Sequence, residues 1–195
     1  MHDGLVHSCN AYFAQLAVQL GPDPLLDAAA RLGISLTPSS NATARVRETL
    51  PQVGYGQGDV VATPLRMARV VAAVASDGVL HETHWEQSGA PPLRGDIFLD
   101  SAGARLLAGY MRDVVVSGTG RSLRGHALPI AGKTGTAELS GRPSHGWFVG
   151  FAPYRPATRR IAFAIIIENA GYGSASAAPA AGEIVTAAAG AGLIK

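Results

Sequence analysis

Hydrophobic residues recur at helical spacing in five segments of the chain. The predicted helices cover residues 8–19, 24–31, 63–78, 101–116 and 176–189. Ser8 is expected to cap the first helix, and the third should begin at Thr63-Pro64, a capping residue followed by proline at the first helical position. We expect residues 34–58 to be mostly irregular and residues 79–99 to be extended or looped.

Three strand-like runs follow the fourth helix. They cover residues 128–139, 147–152 and 161–167, and the intervening segments are short enough for antiparallel neighbours. The third run, IAFAIII, does not alternate, which predicts a strand covered on both faces and flanked by neighbours on both sides. Helices, then a meander, then a closing helix indicate an α+β fold, read as one unit with a mainly helical part at 1–127 and a sheet part at 128–195.

Composition narrows the function classes. The 195 residues carry a net charge of +2 without a long run of either sign, so the chain does not resemble a nucleic-acid binder. Cys9 is the sole cysteine, which excludes an internal disulfide and any CxxC site. The longest apolar run, 161–167, is far shorter than a membrane span, and the first residues match neither an export signal nor an anchor.

The segment AGKTGTAE, residues 131–138, is the most informative stretch. In a strand, Thr134 and Thr136 would point to one side while Gly135 offers bare backbone to a peptide-like ligand, and Lys133 would add a cation for a carboxylate. A plain strand with a glycine bulge and a surface lysine is the alternative. Lys133 and Lys195 are the only lysines among 16 basic residues, which favours a specific need for an ammonium group.

A second candidate is Ser8-Cys9-Asn10 at the start of the first predicted helix. A serine hydroxyl and an asparagine amide beside a helix N-terminus can pass protons and orient a substrate amide. The alternative is that Ser8 is an N-cap and nothing more. We expect Cys9 to pack beneath the helix rather than to react.

Two histidine-containing stretches give no strong indication of a functional site. His81-Glu82-Thr83-His84 has its histidines three apart rather than four and lacks a helical pattern, so a zinc site is not expected. His145, just before Trp147, could contact a ligand or lie in a surface loop.

Taken in order, six motifs resemble the transpeptidase domain of penicillin-binding proteins, most of all the class B enzymes of septal or elongation peptidoglycan synthesis. The motifs are S-x-N at 8–10, GYGQG at 54–58, TPLRMA at 63–68, GTG at 118–120, KTGTAE at 133–138 and HGWFVGFAP at 145–153. The resemblance covers roughly residues 4–193. It implies an antiparallel sheet flanked by helices with a helical subdomain, as in penicillin-binding proteins and serine β-lactamases.

The resemblance also implies roles for individual residues. Ser8 would relay protons, polarised by Lys133, and Asn10 would hold the substrate amide. Thr134 and Thr136, on either side of Gly135, would hold the substrate carboxylate, and the Thr136 amide would form half of an oxyanion hole. No metal or organic cofactor is implied.

One motif of the family is missing. Three residues before Lys133 stands Ile130, and three before Lys195 stands Gly192, so the sequence has no S-x-x-K, which in the family carries the acylated serine and its lysine base. In the family that motif precedes S-x-N, so we expect the chain to begin inside the domain and to be inactive alone, with the missing N-terminal part as a partner.

The expected function is therefore that of a C-terminal part of a D,D-transpeptidase domain, whose ligands are stem peptides ending in D-Ala-D-Ala, or β-lactams. A non-catalytic binding or scaffold module is one alternative. A serine β-lactamase or D,D-carboxypeptidase fragment is another, disfavoured by GYGQG followed by TPLRMA. The family acts outside the cytoplasm, attached to the cytoplasmic membrane, whereas the location of this chain is left open.

Overall fold

A computed structural model describes residues 1–84, 95–154, 157 and 159–195. Helices α1 to α8 span His2–Val6, Asn10–Leu20, Pro22–Arg31, Ala42–Glu48, Leu50–Gly54, Pro64–Ala75, Ser101–Val116 and Ala177–Gly190, and a short 3₁₀ helix, η1, spans Arg121–Leu123. Strands β1 to β7 span Ser35–Leu36, Val60–Val61, Val79–Leu80, Asp96–Ile97, Ala131–Leu139, Arg142–Ala152 and Ile161–Ile167. The α+β prediction is confirmed.

Helices α6 and α7 form where the apolar spacing predicts them, and each begins at a side-chain cap. The Thr63 hydroxyl accepts a hydrogen bond from the Arg66 amide at 3.3 Å. The Asp100 carboxylate accepts one from the Gly103 amide at 2.6 Å. Each cap satisfies an amide that the first helical turn leaves without a partner, which fixes the helix start.

The prediction of a mostly irregular segment at 34–58 is wrong. This segment contains β1, α4 and α5, and the two helices are only seven and five residues long. Helices this short show too few turns for a readable periodicity and depend on tertiary contacts. Val46, Leu50 and Val53 supply those contacts because they are buried. In the predicted extended region at 79–99, the short strands β3 and β4 pair, and residues 85–94 lie outside the described part.

The main sheet is an antiparallel meander in the order β5-β6-β7. Its register pairs Lys133 with Val149 and Gly135 with Trp147, and the pairing shifts between Ala137 and Leu139. Among the described strands, β5 and β7 are the two edges. On its outer side β5 has no partner strand among those described, and the Thr134 and Thr136 carbonyls accept hydrogen bonds from side chains instead.

Two strand boundaries differ from the predictions. Strand β6 begins at Arg142 rather than at Trp147, because Leu139 pairs with Arg142 across a tight turn at Gly141, where φ is +69°. Pro143 interrupts the strand pattern in the sequence, so the extension was not predicted. Pro143 precedes Gly146, where the pairing of β6 with β7 starts. Strand β5 begins at Ala131 rather than at residue 128. The Ile130 carbonyl, just before the strand, accepts a hydrogen bond from the Arg112 side chain.

The sheet is covered on both faces. On one face, Phe148 and Phe163 pack with Ala181 and Val185 of α8. On the other, Phe151 and Ala131 pack with Val71 of α6 and Met111 of α7, among others. The non-alternating pattern of β7 follows from this arrangement because α6 and α8 contact its opposite faces. The expected second neighbour of β7 is not present among the described strands.

Within the described part of the chain, no helix combines the length and the apolar character that crossing a bilayer requires.

Candidate active site

Lys133 joins the sheet to the turn between α1 and α2. Its Nζ donates hydrogen bonds to the Ser8 hydroxyl and, at 2.7 Å, to the Thr134 carbonyl. Burial lowers the pKa of Lys133 from 10.5 to about 8, because removal from water disfavours the charged form. A group with this pKa exchanges protons near neutral pH far more readily than an exposed lysine does.

Ser8 has a role other than the predicted N-cap. The N-cap of α2 is Cys9, and no side chain caps that helix. Ser8 instead closes the turn after α1 with φ at +55°, a left-handed conformation that is uncommon for a residue other than glycine. The prediction failed because α1, which was not expected, precedes Ser8 and directs its backbone into this turn.

Asn10 and Cys9 lie on the outside of the same turn. Asn10 is the first residue of α2, two residues after Ser8, and its side chain is exposed. That side chain makes no hydrogen bond to any of the described residues. The expectation that Cys9 packs beneath the helix is wrong, since Cys9 is exposed. With α1 occupying the space before α2, the helix N-terminus is turned toward solvent.

Thr134 is buried and meets a residue that the sequence did not assign to the site. Its hydroxyl oxygen lies 2.6 Å from that of Thr119, in the GTG segment. Thr119 is in turn held by α1, because its amide donates to the Val6 carbonyl at 3.2 Å. The GTG motif was visible in the sequence, but only the fold brings it beside β5.

Thr136 is held through its backbone. The Gln57 side chain donates to the Thr136 carbonyl at 3.0 Å, which fixes this end of β5 from the GYGQG segment. Gly54, the first residue of that segment, lies at a close contact between α5 and α2: a Cβ at Gly54 would lie 2.5 Å from the Cβ of Ala17. The contact of Gln57 with β5 joins residues far apart in the chain, and sequence reasoning missed it.

Glu82 and His145, two of the remaining candidates, have structural partners. Glu82 pairs with the buried Arg69, which also donates to the His81 carbonyl at 2.6 Å. The His145 ring nitrogen Nδ1 accepts a hydrogen bond from the Asn169 amide at 3.0 Å, and His145 lies in β6 rather than in a loop. No cluster of three or more potential metal ligands occurs among the residues that the structure describes.

The site therefore combines two kinds of group. A lysine and a serine share a hydrogen bond through which a proton can pass, and beside them β5 carries the half-buried Thr136 and the buried Thr134. Such a site is suited to a ligand that is both an amide and a carboxylate.

Comparison with known proteins identifies relatives over nearly the whole chain. A family model described as the penicillin binding protein transpeptidase domain matches residues 1–186. The peptidoglycan D,D-transpeptidase MrdA of Acinetobacter baumannii is 34% identical over 91% of this chain and 33% of its own length. PbpA of Mycobacterium tuberculosis, another peptidoglycan D,D-transpeptidase, is 27% identical over 96% of this chain and 43% of its own length. The chain thus spans less than half the length of these curated relatives.

Solved structures of transpeptidase domains also match this chain. The D,D-transpeptidase domain of a peptidoglycan glycosyltransferase from Eggerthella lenta matches with a TM-score of 0.77 and 29% identity, covering 98% of this chain and 54% of that one. A ceftriaxone acyl-enzyme complex of penicillin-binding protein A from M. tuberculosis matches with a TM-score of 0.77 and 26% identity, covering 96% and 48%. With its motifs, its fold and its relatives in agreement, the chain belongs to the penicillin-binding protein transpeptidase family.

Proposed function

We propose that this chain binds the D-alanyl-D-alanine end of peptidoglycan stem peptides, and β-lactams in the same place, as the substrate-holding part of a D,D-transpeptidase. The single observation that carries this proposal is the hydrogen bond between Lys133 and Ser8 beside the edge strand β5. It joins two sequence motifs of the family into one site.

Lys133 and Ser8 act as a proton relay. The lysine ammonium polarises the serine hydroxyl, and its pKa of about 8 lets it give up a proton or regain one at little cost near neutral pH. Ser8 can then deliver a proton to the departing amine of the substrate. The Ser8 hydroxyl accepts the Lys133 hydrogen bond from a turn in which its backbone is left-handed.

The other residues hold the ligand. Asn10, exposed at the start of α2, orients the substrate amide. Thr134 and Thr136 hold the carboxylate, and the backbone at Gly135 lets the peptide lie against β5. The Thr136 amide forms half of an oxyanion hole, in which a fixed donor stabilises the negative charge of the tetrahedral intermediate.

We assign the covalent step to none of these residues. Acyl transfer needs a serine nucleophile activated by a base, and the 195 residues contain no S-x-x-K. We infer that this step requires a segment carrying that motif, which is the partner that the proposal implies. A non-catalytic binding module predicts the same peptide binding but no acylation when such a segment is supplied.

Calorimetric titration with an N-acetylated peptide ending in D-Ala-D-Ala tests the proposal. We expect saturable binding that weakens by roughly tenfold in Lys133→Met, because that change removes the hydrogen bonds to Ser8 and to the Thr134 carbonyl that hold the turn and the strand at the site in place. Lys195→Met is the matched control, since Lys195 is the only other lysine and is exposed. Absence of binding by the wild-type chain, or equal affinities of the wild type and Lys133→Met, would overturn the proposal.

A further inference from the structure

A cleft of about 350 Å³ opens beside the Thr119–Thr134 pair. We call it the Arg121 cleft, and its lining residues are Gly118, Thr119, Arg121, Ser122, Ser174 and Ala175. One wall is the GTG segment with η1, and the other is the segment that leads into α8. None of its lining residues was assigned a role by the family motifs beyond the GTG match.

One lining residue of the Arg121 cleft, and the residue next to another, lie against β5 at residues proposed to hold the ligand. On one side, the Thr119 hydroxyl lies 2.6 Å from that of Thr134. On the other, Gly173 lies so close to the sheet that a Cβ there would come within 2.2 Å of the Gly135 carbonyl oxygen. The cleft therefore lies beside the part of β5 that carries Thr134 and Gly135.

Lys133 is poorly suited to neutralise a carboxylate in this place. Two of its three possible hydrogen bonds already go to Ser8 and to the Thr134 carbonyl. A bound carboxylate needs a counter-charge from another residue.

Arg121 is the cation that lines the Arg121 cleft, and no acidic residue lines it. Its side chain is exposed and takes part in none of the hydrogen bonds or ion pairs found among the described residues. A guanidinium group stays protonated at all physiological pH values, and its planar donors fit a carboxylate in a two-pronged arrangement.

We propose that Arg121 is a specificity-determining residue that binds the C-terminal carboxylate of the peptide ligand in the Arg121 cleft. This proposal rests on the proposed function. Thr134 and Thr136 then orient the carboxylate by hydrogen bonds, Arg121 supplies the charge, and Lys133 serves the proton relay with Ser8.

A pair of peptides that differ in one group tests this assignment. One is an N-acetylated peptide ending in D-Ala-D-Ala with a free carboxylate, and the other is its C-terminal amide. We expect the wild-type chain to prefer the acid, and Arg121→Gln to lower affinity for the acid by about three- to tenfold while leaving affinity for the amide unchanged. Arg124→Gln is the matched control, because Arg124 is exposed three residues away and does not line the cleft.

A preference for the acid that persists in Arg121→Gln, in a variant whose NMR spectrum remains that of a folded chain, would overturn the proposal. Acetate titration monitored at the Thr119 amide separates it from the proposed function. If the wild-type chain binds neither peptide but acetate shifts that resonance saturably, and only when Arg121 is present, the anion subsite is supported and the proposed function fails. If neither the peptides nor acetate bind, both proposals are wrong.

Discussion

Lys133 and Ser8 are 125 residues apart in the sequence and share a hydrogen bond between the sheet and the α1–α2 turn. The contact is made by a half-buried lysine whose pKa falls to about 8 and by a serine in a left-handed conformation. Both features raise the free energy of the folded chain relative to an ordinary surface pair. Unfavourable features of this kind are found together at functional sites.

The lowered pKa of Lys133 predicts a particular dependence of stability on pH. The folded-state pKa is about 8 and the ordinary value is 10.5, so between these values the unfolded chain binds more protons than the folded chain. The contribution of Lys133 to the free energy of unfolding therefore rises as the pH goes from about 8 to 10.5, by at most on the order of 3 kcal/mol, and is constant below pH 8. Urea unfolding of the wild type and of Lys133→Met across this range measures the difference. Lys195→Met is the control and should show the pH dependence of the wild type. The same pH dependence in the wild type and in Lys133→Met would contradict the prediction.

Thr136→Val should weaken binding of the D-Ala-D-Ala peptide by roughly tenfold or more. The change keeps the shape of the side chain but removes a hydroxyl that would donate to a carboxylate, a charge-assisted hydrogen bond that contributes about 1.5 to 3 kcal/mol. Calorimetry or NMR titration measures the effect. Thr43→Val, an exposed position on α4, is the control and should bind like the wild type. Equal affinities for wild type and Thr136→Val would show that the carboxylate lies elsewhere.

Gln57→Ala should loosen the end of β5. The variant loses the 3.0 Å hydrogen bond to the Thr136 carbonyl, and a neutral hydrogen bond of this kind contributes about 1 kcal/mol. We expect faster amide hydrogen exchange around residues 135–137 and a small loss of stability. Gln52→Ala, at an exposed position on α5, should leave exchange in β5 unchanged. Unchanged exchange in Gln57→Ala would mean that this contact does not hold the strand.

The isolated 195-residue chain should form no covalent adduct with penicillin. Acylation requires a base-activated nucleophile, and neither member of an S-x-x-K pair is in the sequence. Intact-protein mass spectrometry after incubation with the β-lactam detects the adduct directly. A stoichiometric acyl mass shift would refute the prediction, and mapping of that mass to Ser8 would make Ser8 a nucleophile.

The isolated chain should also self-associate or be poorly soluble. Strand β7 is apolar, and in the described sheet it has β6 on one side and an open edge on the other, which can pair with a second molecule. Co-expression with a segment that supplies further strands and an S-x-x-K helix should improve solubility and restore acylation. Size-exclusion chromatography with light scattering is the measurement. A stable monomer that unfolds cooperatively would show that the open edge needs no partner.

Much of the architecture follows from local pattern. Helices α6 and α7 and strand β7 carry their signals within a few residues of themselves: a cap, an apolar face, or a continuous apolar run. The K-T-G strand and the S-x-N turn were recognisable for the same reason, because the residue types and their order were enough to indicate the family. These features require no knowledge of what lies opposite them in the fold.

The geometry of the site was decided by contacts between distant segments. The sequence could not show that Ser8 faces Lys133 instead of capping α2, that Cys9 is exposed, or that Gln57 and Thr119 reach β5. Each depends on where one element packs against another, and packing is set by the shapes of both surfaces together. Local composition therefore determined which elements form and which family they indicate, whereas only tertiary packing decided which side chains meet.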